Sequence, residues 1–123
     1  MKELKMFAPS LDTVIYHGSE RKLDVNHDVI LTTYAIMRID VDEMKKNTWG
    51  MIIVDEAQNI KNPDTAQTIA IKALKSDIKI AMTGTPVENR LTELWSIFDF
   101  INKGYLGTLK EFQKSYAIPI ERF

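Results

Sequence analysis

Met51-Ile52-Ile53-Val54-Asp55-Glu56-Ala57-Gln58 and, further on, Ile78-Lys79-Ile80-Ala81-Met82-Thr83-Gly84-Thr85-Pro86 decide the fold of this sequence. Each opens with a short apolar, β-branched run and breaks into polar or glycine-bearing residues, as strands buried in a sheet do. Thr13 to Tyr16 and Val29 to Thr33 are runs of the same kind. Between the two decisive runs, Ala66, Ile69, Ala70, Ala73 and Leu74 recur at helical spacing and predict a core-packed helix. Asn62 is its expected cap, with Pro63 at the first helical position and Asp64 complementing the dipole. Leu91, Leu94, Trp95, Phe98 and Ile101 predict a second helix, capped by Asn89 and stopped by Gly104. Ala35 to Lys46 and Thr108 to Tyr116 read as shorter helical stretches.

Strands alternating with helices of this length indicate an α/β fold, a mostly parallel sheet with helices on both faces. In such sheets ligands bind beyond the carboxyl ends of the strands. That rule selects Asp55-Glu56-Ala57-Gln58 and Thr83-Gly84-Thr85-Pro86 as the places to look for chemistry.

The 123 residues, 45% hydrophobic and 27% charged, fit one domain and exclude disordered or collagen-like sequence. No apolar run approaches the roughly 18 residues of a membrane-spanning helix, so no membrane partner is expected. A formal charge of −1 provides no global positive field for nucleic acid, so any such contact must be local. Without cysteine there is neither a disulfide framework nor a thiolate metal site, and a cytoplasmic protein is the default expectation. His17 and His27 have no second ligand at metal spacing and receive no role. Trp95, Phe98 and Phe100 read as core positions rather than a base-stacking platform, because no basic stripe accompanies them.

A strand that ends in two adjacent carboxylates can divide labour between them. One holds a hydrated Mg²⁺, a hard cation that keeps most of its waters, and the next accepts a proton from an attacking water. Taken alone, Asp55 and Glu56 read more readily as a solvated strand end, and Thr83 to Pro86 as a plain turn.

Taken together, Ile52-Ile53-Val54-Asp55-Glu56-Ala57-Gln58-Asn59-Ile60-Lys61-Asn62 resembles motif II, the Walker B element, of the Swi/Snf-type DNA-dependent ATPases within superfamily-two helicases. The stretch from Ala81 through Thr83-Gly84-Thr85-Pro86 to Phe100 resembles that family's motif III and following helix, and is the more specific of the two. Val29-Ile30-Leu31-Thr32-Thr33-Tyr34 is similar to motif Ib, and Phe7 to Leu11 with Tyr16-His17-Gly18 resembles the stretch after motif Ia. Gln58 stands where related helicases commonly have histidine, and Lys103 where proline is frequent.

The resemblance implies that residues 1–123 are a fragment of the first RecA-like, ATP-binding lobe, running from after motif Ia through motif III and lacking the Walker A strand. It implies that Asp55 holds Mg²⁺ through water, Glu56 orients and deprotonates the hydrolytic water, Gln58 senses the nucleotide, and Thr83, Gly84 and Thr85 relay that state. Thr32 and Thr33 would meet the DNA phosphate backbone. The implied cofactors are ATP and Mg²⁺ in a full-length parent, with none held tightly by the fragment. Its partners would be double-stranded DNA and a second RecA-like lobe; the location would be nucleoid-associated in a bacterium and nuclear in a eukaryote.

None of the glycines at 18, 50, 84, 104 and 107 belongs to a Gly-x-x-x-x-Gly-Lys-Ser/Thr loop, so isolated residues 1–123 are expected to be inactive. With the Walker A strand missing, Ile78 to Met82 would be an exposed apolar edge that favours self-association. A non-catalytic α/β interaction module is the competing reading.

Overall fold

The computed structural model describes residues 10–84 and 91–117. Two parallel strand pairs organise it. β1 (Thr13–Ile15) pairs with β2 (Val29–Leu31), and β3 (Thr48–Val54) pairs with β4 (Lys75–Ala81), with Val54 opposite Ala81. Among the described residues these are separate two-stranded sheets rather than one continuous sheet. The strands β3 and β4 begin three residues earlier than the apolar runs predict. Apart from Trp49, Thr48–Gly50 and Lys75–Asp77 carry polar or small residues, so no apolar run marks them as strand.

After β2, Thr33 caps α1 (Tyr34–Ile39) by accepting the Ile36 amide on its hydroxyl, and α2 (Val41–Met44) follows at once. The expected single stretch over Ala35 to Lys46 is thus two short helices broken at Asp40. Asp40 itself is a junction. Arg21 grips it with two hydrogen bonds, 2.6 Å from Nε and 3.0 Å from Nη2, and the Tyr16 hydroxyl donates a third at 2.6 Å. The loop between β1 and β2 is thereby fastened to the helical layer.

β3 leads through a 3₁₀ turn (Ala57–Ile60) into α3 (Ala66–Ala73). Here the expected cap is displaced. Asn62 accepts the Asp64 amide in a local turn, and Thr65, three residues later, caps the helix by accepting the Thr68 amide. The buried face is also rotated from the predicted stripe: Thr68, Ala70, Ile71 and Leu74 point inward, whereas Ile69 is 58% exposed and Ala66 and Ala73 lie outside. A Thr65–Thr68 hydroxyl pair at 2.8 Å satisfies the polar group that this rotation buries.

In α4 (Leu91–Ile101), Trp95, Ser96, Ile97 and Phe100 are buried, while Phe98 and Ile101, predicted to face the core, are exposed. The expected cap Asn89 lies outside the described residues. Gly104 ends this segment with φ +85°, a conformation that glycine adopts without steric cost. Thr108 then caps α5 (Leu109–Phe112), which continues into a π turn over Gln113–Ala117.

The main core gathers Tyr16, Ile36, Met37, Met44, Val54, Ala57, Ile60, Ile71, Leu74, Ile97 and Phe100, and Trp95 with Phe112 forms a second cluster. The other face of β3 and β4 stays open: Met51, Ile53, Ile78, Ile80 and Met82 are all exposed, and β4 has no second neighbour among the described residues. No helix among the described residues is long and apolar enough to cross a membrane.

Candidate functional site

The acid pair and the threonine-glycine bend share one rim. Hydrogen bonding between β3 and β4 continues past their ends, with the Met82 amide donating to the Val54 carbonyl at 2.9 Å and the Ala57 amide to the Met82 carbonyl at 2.8 Å. Asp55 and Glu56 therefore emerge beside Thr83 and Gly84. Thr85 and Pro86 lie outside the described residues.

Side chains join the two segments directly. The Thr83 hydroxyl donates to Gln58 Oε1 at 2.7 Å, and Gln58 Nε2 donates to Glu56 Oε2 at 2.6 Å. Glutamine can do this because its amide offers an acceptor and a donor at once. A continuous line thus runs from the end of β4 to the second carboxylate of the pair.

Glu56 occupies the left-handed region, φ 51° and ψ 55°, the one non-glycine residue to do so among the described residues. Such a conformation costs a residue with a Cβ about 1–2 kcal/mol and persists only where neighbours enforce it. The enforcing bonds are visible on both sides. The Tyr34 hydroxyl donates to the Asp55 carbonyl at 2.6 Å, and the Glu56 amide donates to Asp55 Oδ1 at 2.8 Å. Asn59 Nδ2 donates to the Glu56 carbonyl at 2.8 Å, and Gln67 in turn donates to the Asn59 carbonyl at 3.1 Å. The 3₁₀ turn beneath is anchored from α4 by Ser96, whose buried hydroxyl donates to the Ile60 carbonyl at 2.6 Å.

Burial, and then the nearby charges of Asp55 and Glu56, push the Tyr34 phenol up to about 12. The hydroxyl therefore stays protonated, as a donor to a carbonyl must. Both carboxylates are exposed, and Asp55 Oδ2 has no hydrogen-bond partner among the described residues. One hard oxygen donor facing solvent suits a magnesium ion that retains its waters, and no cluster of three or more metal-binding side chains occurs among the described residues.

Thr32 and Thr33 stand at the end of β2, on the wall of an open depression of about 270 Å³ shared with Ile15, Tyr16, His17 and Leu31. Their hydroxyls differ. Thr32 spends its proton on the Tyr16 carbonyl at 2.9 Å, whereas Thr33 accepts from Ile36 and so keeps its own proton for an outside acceptor. His27 lies between Asp12, 2.9 Å from Nδ1, and Asp24, 3.4 Å from Nε2, which occupies both ring nitrogens. Sequence reasoning gave Tyr34 no role; its position directly after Thr32-Thr33 is the signal that could have prompted one. Asn59, an exposed polar residue, and Ser96, a polar residue within an apolar helix, carry no such signal.

The profile of the SNF2-related domain matches residues 1–122. YwqA of Bacillus subtilis, whose name describes an ATP-dependent helicase/translocase, is 52% identical over 98% of this chain and 14% of its own length. The DNA repair and recombination protein RAD26 of Saccharomyces cerevisiae is 43% identical over 80% of this chain and 9% of its own. Among solved structures, the Sulfolobus solfataricus SWI2/SNF2 ATPase core in complex with double-stranded DNA superposes with a TM-score of 0.90 at 46% identity. It does so over 98% of this chain and 26% of that one. The chain thus spans a small part of the relatives it resembles.

Proposed function

This chain belongs to the SNF2-related domain family, and on that premise we propose that it supplies the water-activating and coupling part of the ATP-binding lobe of an ATP-dependent translocase on double-stranded DNA. In this reading Asp55 and Glu56 are the Walker B acids, and Thr83, Gly84 and Thr85 belong to motif III. What supports it above all is the line Thr83–Gln58–Glu56, two hydrogen bonds of 2.7 and 2.6 Å that tie the end of β4 to an acid at the end of β3.

Each residue then has a task. Asp55 holds hydrated Mg²⁺ through its outward oxygen, and bound Mg²⁺ neutralises charge on the nucleotide phosphates. Glu56 takes the proton of the attacking water, its carboxylate aimed by Gln58 and its backbone fixed in the left-handed conformation. Gln58 and Thr83 report a change at the phosphates to β4. Thr33, with its spare hydroxyl proton, and Thr32, through its main chain, meet DNA phosphates, contacts that position the duplex without reading sequence.

A glycine-rich loop with its lysine provides much of a nucleotide's grip, and no such sequence occurs in residues 1–123. Residues 1–123 by themselves accordingly release no phosphate from ATP. In a full-length parent, Glu56→Gln lowers duplex-stimulated ATP hydrolysis by at least about a hundredfold while DNA binding persists. Hydrolysis that survives the substitution would remove Glu56 from the mechanism. Turnover by the purified 123-residue chain, lost in the same variant, would show that the phosphate loop is dispensable.

A further inference from the structure

Tyr34 joins two places that the proposed function treats separately. Its backbone follows Thr32 and Thr33 without a break, at the first residue of α1, whose cap is Thr33. Its hydroxyl reaches across to the end of β3 and donates to the Asp55 carbonyl at 2.6 Å. No ladder of backbone hydrogen bonds connects β2 with β3, so this side-chain bond spans a seam between two sheets.

The carbonyl it holds is a particular one. It belongs to the peptide linking Asp55 to Glu56, and Glu56 is the residue forced to φ 51°. On the far side, Glu56 is fixed by the Asn59 side chain and, through the Ala57 amide, by Met82. The near side depends on Tyr34 and on the Glu56 amide folding back to its neighbour's carboxylate. Loss of the Tyr34 bond lets this peptide rotate toward ordinary backbone regions, which carries the Glu56 carboxylate away from Gln58.

We propose that Tyr34 is a positioning residue that couples phosphate occupancy at Thr32-Thr33 to the conformation of Glu56. A duplex phosphate that engages Thr33 shifts the start of α1, and Tyr34, the next residue, transmits the shift to the Asp55–Glu56 peptide. α1 cannot absorb the displacement at its other end, because Asp40 is clamped there by Arg21 and Tyr16. This inference rests on the proposed ATPase function and adds a specific conductor to it.

Tyr34→Phe in a full-length parent removes the hydroxyl and keeps the ring. Steady-state ATP hydrolysis, measured with and without duplex DNA over a range of DNA concentrations, gives the maximal stimulation and the half-saturating DNA concentration. Maximal stimulation is expected to fall by at least about fivefold with the half-saturating concentration within about twofold of wild type. Hydrogen exchange of the backbone around Glu56 gives a readout that does not need turnover: duplex addition changes it in the wild type, and Tyr34→Phe abolishes the change. Unchanged stimulation, or rates that fall by one factor with and without DNA, overturns the coupling role. So does exchange at Glu56 that is insensitive to duplex in the wild type. A wild-type parent with no duplex-dependent hydrolysis overturns the ATPase reading and the coupling together, whereas a duplex-dependent parent with an indifferent Tyr34→Phe variant overturns the coupling alone.

Discussion

Replacing Ser96 by alanine tests whether the acid-bearing turn is held in place from α4. Ser96 is fully buried, and its hydroxyl bridges two elements: it donates to the Ile60 carbonyl at 2.6 Å and accepts from Lys72 Nζ at 3.2 Å. Lys72 also pairs with Asp99 at 3.2 Å and lies 4.8 Å from the centre of the Trp95 ring, so three residues of α4 converge on one ammonium. Alanine keeps nearly the same volume, and the loss is therefore one of hydrogen bonds. Leaving a buried partner unsatisfied costs about 1–3 kcal/mol. Unfolding entropy of about 2.1 cal/mol/K per residue gives about 0.26 kcal/mol/K for 123 residues, so Tm drops by about 4–12 °C. Urea unfolding provides the free energy directly, and a double-mutant cycle with Lys72→Met isolates the hydroxyl–ammonium coupling, expected at about 0.5–3 kcal/mol. A Ser96→Ala protein that melts within about 2 °C of wild type, or a cycle additive within about 0.3 kcal/mol, would refute the reasoning.

The Tyr34 phenol, held up near 12 by burial and by the two carboxylates, favours its neutral form in the fold. Its contribution to stability is complete below about pH 10 and is lost as pH rises toward 12, and the phenolate difference spectrum between wild type and Tyr34→Phe locates the midpoint. Asp55→Asn moves that midpoint down but leaves most of the shift, because burial is the larger cause. Hydrogen bonds from Arg21 and then Tyr16 hold the Asp40 carboxyl below the usual carboxylate range. That contribution is present above the carboxyl's unfolded pKa and disappears as pH falls through the lower folded value; a flatter acid limb of stability against pH is expected for Asp40→Asn. Residues 1–123 are expected to self-associate through the open face of β3 and β4, so that light scattering over a concentration series would show the apparent mass rising. Ile53→Lys with Ile78→Lys suppresses the rise, and a constant monomer mass in the unsubstituted chain contradicts the expectation.

How far the sequence discloses this arrangement varies by residue. The ends of β3 and β4 are plain in it because Val54 and Met82 close apolar runs, and that boundary was enough to bring Asp55 and Thr83 to one rim. The start of α3 is ambiguous because Asn62 and Thr65 are both good caps, and only the folded chain shows that Asn62 spends its side chain on a turn. Its inward face is hidden by alanines, which suit core and surface alike, and by Thr68, whose hydroxyl is accommodated by a neighbour rather than by water. Phe98 follows the helical period and still faces out, because α4 presents Ser96, Ile97 and Phe100 to its partners. The left-handed Glu56 leaves no trace in the residue types, since neither glycine nor asparagine stands there. The bonds that enforce it, from Tyr34 to the Asp55 carbonyl twenty-one positions on and from Asn59, are long-range or side-chain events that periodicity cannot register.

The bare side of the second strand pair has a kinetic consequence. Folding of one copy is a first-order event, whereas two copies meeting through Met51, Ile53, Ile78, Ile80 and Met82 is second-order and so grows steeply with concentration. Soluble yield of residues 1–123 is therefore expected to decline as expression rises, and slower synthesis, lower temperature or a holdase chaperone to restore it by keeping the open faces of separate copies from meeting.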